Sequence, residues 1–274
     1  MQSHTIVFEG KNIYYRTSGQ GMPVLLLHGF GEDGHIWDNQ AAALNNQCRL
    51  IIPDIPGSGQ SQLLPNADID TYADVIKAIC VAEKLMPVNG DTGEYNGITL
   101  IGHSMGGYIT LAFAEKHPGY LNRMGLFHSS ALADSAEKKE TRRKAIDFIY
   151  QKGVAVFLKT SIPGLFTSQF NTIYPDKIEQ LLNAGKTFSP EALAQYYQAM
   201  INRPDRTHIL KQFEQPILFI IGQHDQAVPF ESSLQQCHLP KLSSVHILRN
   251  SAHMGMWEET NRVNGILRDF LFQY

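Results

Sequence analysis

Ile98-Thr99-Leu100-Ile101-Gly102-His103-Ser104-Met105-Gly106-Gly107 is the stretch that decides the fold. Ile98–Ile101 is a short apolar run of the kind a strand needs when both faces of its sheet are covered. A helix-like segment opens directly after Ser104 and stops at His117-Pro118, because the residue before a proline disfavours helix. A serine in the pattern Gly-x-Ser-x-Gly, held between a buried strand and a helix, sits on a tight and strained turn that lifts its hydroxyl above the sheet. Gly102 and Gly106 let strand and helix approach each other. The helix N-terminus also offers a free backbone N–H beside that hydroxyl. This is the geometry of a nucleophile elbow.

The same rhythm runs through most of the chain. Val24–Leu27, Leu50–Ile52, Met124–Phe127, Ile217–Ile221 and Val245–Leu248 are further short apolar runs, and with Ile98–Ile101 they read as parallel central strands. Ahead of them, His4–Phe8 and Asn12–Tyr15 flank Glu9-Gly10-Lys11 and predict an antiparallel hairpin. Thr71–Met86, Met105–His117 and a final segment carrying Val263, Ile266, Leu267, Phe270 and Leu271 have helical spacing. Alternating strands and helices imply right-handed crossovers and an α/β fold with a mostly parallel, doubly wound sheet. From Ala131 to Asp205 no strand-like run occurs, only helical segments near Glu137–Gln151, Asp176–Ala184 and Pro190–Ile201. The expected organisation is a core of residues 1–130 and 206–274 with a helical cap insertion over 131–205.

Three more strand ends carry chemistry-bearing residues. His28-Gly29-Phe30-Gly31 follows Val24–Leu27, and a turn there aims the Phe30 N–H into the crevice, opposite that of Met105. Two such donors make an oxyanion hole. His28 itself reads as a residue bracing the loop. Asp225 closes the strand Ile217–Ile221, at the carboxyl end where ligands bind in open α/β sheets. His253 lies in the loop Asn250–Gly255, between the last strand and the final helix. Ser104, Asp225 and His253 follow one another in the chain order of one class of hydrolases. Trp37 and His128 are candidate substrate contacts, and the apolar cap residues Phe148, Phe157, Leu158, Leu165, Phe166, Phe170, Ile173, Tyr174, Tyr196, Tyr197 and Met200 supply candidates to roof an apolar pocket.

With these residues in place, the chain resembles the α/β-hydrolase superfamily over nearly its whole length. The nearest look is to capped bacterial serine hydrolases: esterases, haloperoxidase-like enzymes and carbon–carbon bond hydrolases. Pro53-Asp54-Ile55-Pro56-Gly57-Ser58-Gly59-Gln60-Ser61 resembles that group's loop after the next strand, where the aspartate and glycines shape a turn. The resemblance implies an α/β-hydrolase fold and a Ser-His-Asp triad, with Ser104 as nucleophile, His253 as base, Asp225 as acid, and the N–H groups of Phe30 and Met105 as the oxyanion hole. It also implies hydrolysis of a small or medium carboxylic ester through an acyl-enzyme. The alternatives it carries are carbon–carbon bond hydrolysis or lysis, and a slow-turnover small-molecule receptor. Serine at 104, where haloalkane dehalogenases have aspartate, argues against dehalogenation.

Composition narrows the partners. The chain has 274 residues and a formal charge of −3, with 23 Lys+Arg against 26 Asp+Glu. No basic excess supplies the phosphate contacts on which nucleic-acid binding rests. The cluster Lys138, Lys139, Arg142, Arg143, Lys144 is interleaved with Glu137 and Glu140 and reads as a solvated helix face, with an acidic partner as its alternative. No His-Glu-x-x-His spacing calls for a metal, and no Gly-x-Gly-x-x-Gly after the first strand calls for a dinucleotide, so no cofactor is expected. Three widely spaced cysteines, no signal-peptide pattern at Met1–Thr5 and no apolar run long enough for a membrane span predict a cytoplasmic enzyme of small molecules.

Overall fold

A computed structural model describes residues 1–85, 87 and 97–272. The apolar runs gather into one sheet of eight strands: β1 (Gln2–Phe8), β2 (Lys11–Ser18), β3 (Pro23–Leu27), β4 (Arg49–Pro53), β5 (Ile98–His103), β6 (Leu121–Phe127), β7 (Ile217–Gly222) and β8 (Ser243–Leu248). Their spatial order is β1-β2-β4-β3-β5-β6-β7-β8. β1 and β2 form the expected antiparallel hairpin, β2 is antiparallel to β4, and every later pairing is parallel. The hairpin turns at Glu9 and Gly10, both at positive φ (46° and 73°), the backbone that matches the twist of its two strands.

Twelve helices accompany the strands among the described residues. Outside the cap are α1 (Asp38–Leu44), α2 (Ile69–Ala82) and α3 (Met105–Lys116), and beyond it α9 (Thr207–Gln212), α10 (Phe230–Leu234), α11 (Gly255–Glu258) and α12 (Thr260–Phe272). Between β6 and β7 lie only helical elements, chiefly α4 (Ala136–Lys152), α5 (Val154–Ser161), α6 (Ser168–Ile173), α7 (Pro175–Gly185) and α8 (Pro190–Asn202). This is a helical cap insertion on an α/β-hydrolase fold. No helix of the described residues is long and apolar enough to cross a membrane.

Burial follows the sequence pattern where strands are central. Every residue of β5 and β7 is buried, as continuous apolar runs require. β8 departs from the reading of Val245–Leu248 as central: it is the sheet edge, and Val245 is 39% exposed. The helix expected over Thr71–Met86 begins at Ile69, where the Asp68 carboxylate accepts the Thr71 N–H, and ends at Ala82. Met86 lies outside the described residues. Gly153, at φ +85°, ends α4 and lets the chain restart as α5, a helix the sequence pattern did not single out.

Candidate active site

The elbow is built as the sequence requires. Ser104, between β5 and α3, has φ 51° and ψ −115°, a strained backbone for any residue with a Cβ. Two anchors on the neighbouring strand end hold it there: its N–H donates to the Phe127 carbonyl at 2.9 Å, and its carbonyl accepts the Ser129 hydroxyl at 2.7 Å. Gly102 is obligatory, because a Cβ on it would run into the backbone of Gly106 and Gly107 across the turn.

Parallel strands deliver the other groups to the same rim. Asp225 follows β7, and its Oδ1 accepts the N–H groups of Ala227 and Val228 at 2.8 and 2.9 Å. Its Oδ2 accepts the Nδ1–H of His253 at 2.7 Å. That bond assigns the tautomer, leaving Nε2 of His253 as the proton acceptor. Burial disfavours the charged imidazole, but the Asp225 carboxylate beside it outweighs burial and raises the His253 pKa above its ordinary value. Burial likewise opposes ionisation of Asp225, and the His253 ring more than offsets it, holding the carboxyl well below the usual range.

Ser104, His253 and Phe30 line one cavity of about 640 Å³. Among the described residues no hydrogen bond joins the Ser104 hydroxyl to the His253 ring; the two meet as neighbours on the cavity wall. Such bonds often tighten only once substrate is bound. The N–H groups of Phe30 and Met105 find no acceptor among the turn and loop hydrogen bonds of the described residues. The Phe30 ring stacks on Tyr197 of the cap, with centroids 4.2 Å apart.

A family model described as alpha/beta hydrolase fold matches residues 22–260. The chain belongs to that family. It is 25% identical to the 2-hydroxy-6-oxononadienedioate/2-hydroxy-6-oxononatrienedioate hydrolase of Paraburkholderia phymatum, over 95% of this chain and 91% of that protein. Among solved structures, it is similar to a thermophilic esterase from Thermogutta terrifontis, described as malate bound. That likeness has a TM-score of 0.90 and 29% identity, and covers 100% of this chain and 99% of the other. The enol-lactonase of Burkholderia xenovorans shares the fold at TM-score 0.87 and 20% identity, over 98% of this chain and 99% of that one. The protein is a catalytic alpha/beta-hydrolase-fold enzyme.

Two predicted contacts of this hydrolase lie elsewhere. Trp37 is fully buried and packs edge-on against His103 and Phe127, away from the cavity wall. His128 is also buried behind the wall, with its Nδ1 accepting the Gly222 N–H at 2.9 Å. Burial lowers its pKa to about 4. Because Nδ1 is the acceptor of the Gly222 N–H, its 3.4 Å approach to Asp225 Oδ2 is not a donated hydrogen bond. Both residues follow strand or loop ends that point inward, which sequence position alone does not reveal. His28 braces its loop as expected, donating to the Gly29 carbonyl and accepting from the Ile55 N–H at 2.9 Å. Asp54 shapes its turn by accepting the N–H groups of Gly34 and Gln60. Of the cap's apolar candidates, Leu158, Leu165, Tyr197 and Met200 line the cavity, whereas Ile173 and Tyr174 are exposed.

Sequence reasoning missed a buried carboxylate–histidine pair beneath the elbow. Glu32 Oε2 accepts the Gly29 N–H at 2.7 Å and faces His103 Nδ1 at 2.9 Å. His103 Nε2 meets the His253 carbonyl at 2.9 Å. Both ring nitrogens of His103 face oxygen atoms, the Glu32 carboxylate on one side and the His253 carbonyl on the other. Burial pushes the Glu32 carboxyl up, but the His103 ring beside it outweighs burial and the pKa falls below the ordinary value. The reading of the α4 basic cluster as a solvated face also needs correction, because Lys138 and Arg142 line the cavity. Among the described residues no cluster of three or more His, Cys, Asp or Glu is placed to hold a metal ion.

Proposed function

We propose that the protein is a serine hydrolase of small carbonyl compounds, with Ser104 as nucleophile, His253 as base and Asp225 as the acid that orients it. The observation that carries the proposal is the 2.7 Å Asp225–His253 bond on the rim of the cavity that Ser104 also lines. In the cycle, Ser104 Oγ adds to the substrate carbonyl while its proton passes to His253 Nε2. The Phe30 and Met105 N–H groups take the oxyanion, a pair whose members are each worth about 3–4 kcal/mol of transition-state stabilisation. The bond to the leaving group then breaks, and His253 returns the proton to it. Water, activated by the same ring, hydrolyses the acyl-enzyme. Residues 131–205 act as the cap over a core of 1–130 and 206–274. The three widely spaced cysteines fit work in the cytoplasm.

The likeness to a dienedioate hydrolase supports carbon–carbon bond hydrolysis ahead of the ester cleavage expected first from the sequence. Here the leaving group is a stabilised carbanion, and His253 protonates carbon rather than oxygen. Ester hydrolysis is the second reading, favoured by 29% identity to an esterase over the full chain. Parallel assays on a vinylogous diketone and on p-nitrophenyl butyrate separate them. The carbon–carbon reading expects the diketone to be consumed with the higher kcat/KM, and Ser104→Ala to abolish it. Fast ester turnover with no diketone consumption overturns that order. Activity unchanged in Ser104→Ala overturns the nucleophile.

A further inference from the structure

The cap side of the cavity holds more positive charge than its internal bonds neutralise. Asp134, Lys138, Arg142 and Arg203 line the same space as Ser104 and His253. Asp134 is buried and takes Nε of Arg142 at 2.6 Å and Nη2 of Arg203 at 3.0 Å. Arg203 has structural partners besides: the carbonyls of Met200 and Leu132, and the Tyr108 ring 3.8 Å beneath its guanidinium. Arg142 differs: it too lies over a ring, that of Tyr197, 5.5 Å from the centroid, but only its Nε is hydrogen-bonded, neither Nη finds an acceptor among the described residues, and the side chain keeps 12% exposure. Lys138 Nζ donates to the Ala227 carbonyl at 2.9 Å and pairs with no carboxylate among the described residues. Glu137 also lines the cavity, but it is exposed and makes no ion pair there.

Two guanidinium groups therefore share one buried carboxylate, and Lys138 adds a third cation to the same wall, tied to the loop that carries Asp225. The Tyr108 hydroxyl registers the imbalance. Burial pushes its pKa up, yet Arg203, Lys138 and Arg142 outweigh burial and lower it. That hydroxyl has no hydrogen-bond partner among the described residues, and Tyr108 is one of the residues that line the cavity. Half-buried guanidinium N–H groups with no acceptor are matched by a planar anion, which accepts two of them at once.

We propose that Arg142 and Lys138 form a carboxylate-binding subsite on the cap wall, so that the substrate carries a carboxylate group in addition to the carbonyl that reacts at Ser104. The inference rests on the hydrolase reading for the second half of that statement, and the binding half is measurable without turnover.

The test is calorimetric binding to the Ser104→Ala protein of monomethyl adipate and of methyl hexanoate, its near-isostere without the charge. The hemiester should bind roughly tenfold tighter or more, the margin a charge-assisted hydrogen bond supplies. Arg142→Gln should remove most of that margin, Arg142→Lys should restore part of it, and added salt should erode it. Equal affinity for the two ligands overturns the subsite, as does a margin that survives Arg142→Gln combined with Lys138→Gln. The comparison of ligands on the Ser104→Ala protein decides the matter even if an Arg142 variant does not fold. Turnover by the wild-type protein is read separately. A charge-dependent margin with no turnover of the hemiester, p-nitrophenyl butyrate or the diketone overturns the hydrolase reading and leaves the subsite standing. Turnover without a margin does the reverse.

Discussion

His103 Nε2 donates to the main-chain carbonyl of His253 across 2.9 Å, while its Nδ1 faces Glu32 across 2.9 Å. The residue before the elbow serine thus fixes the backbone of the residue proposed as its base, and a buried carboxylate on the loop after β3 fixes that residue in turn. Glu32 also holds the Gly29 N–H, next to Phe30, so one carboxylate orients both sides of the site.

Glu32→Gln is expected to lower kcat by roughly 10–100-fold, the usual scale for losing an orienting partner of an active residue. The Glu32 charge also contributes to the raised pKa of His253. The variant's pH–kcat/KM midpoint should therefore move to lower pH. A lowered melting temperature with an unmoved midpoint would make Glu32 a stabilising residue only.

The pH profile of the wild-type protein has a definite sign. His253 must be neutral to take the Ser104 proton, and its pKa is raised above the ordinary histidine value of about 6.5. Activity should rise with pH through a midpoint above that value. Asp225→Asn should shift the midpoint down and reduce kcat by about 10⁴. A flat kcat/KM from pH 5 to about 8 would contradict a histidine base.

Asp134→Asn should be among the most destabilising polar substitutions. Its carboxylate is buried between Arg142 and Arg203, and removing one partner of such a buried network costs about 3–5 kcal/mol. Burial raises the Asp134 pKa, but the two guanidinium groups outweigh it and lower it. Its stabilisation is present above the unfolded value of about 3.9 and is lost as pH falls through the folded pKa. Urea unfolding at a series of pH values measures both effects; equal stability of variant and wild type at neutral pH would refute the account of the pair.

Gly102→Ala should fail to form the elbow. Its Cβ would meet the Gly106 carbonyl, which belongs to the first turn of α3 and cannot swing aside as a side chain would. The expected outcome is loss of activity with a melting temperature several degrees lower. Activity within twofold of wild type would mean the turn tolerates a wider approach than its backbone shows.

Much of this was legible in the residues themselves, and for identifiable reasons. Strand β5 and helix α3 announce themselves because a buried strand must be apolar throughout and the turn between them must be glycine-rich. Asp225 and His253 were readable because parallel strands deliver their carboxyl ends to one edge. Side-chain direction was harder. Trp37 and His128 stand near the right strand ends yet point into the core, and only packing decides that. The cap was hardest: α4 looks like a solvated helix because five basic residues punctuate it, and only packing shows that Lys138 and Arg142 among them line the cavity. Arg142 pairs with Asp134, eight positions earlier in the chain, and faces Tyr197 on α8. No local pattern encodes that meeting.

The central claim is that Ser104 is a nucleophile activated by His253. Stoichiometric labelling with a fluorophosphonate, followed by peptide mapping, tests it most directly. The account predicts a single adduct on Ser104 that forms in the wild-type protein and is lost in His253→Ala. An adduct on another residue, or labelling of Ser104 at an undiminished rate without His253, would contradict it.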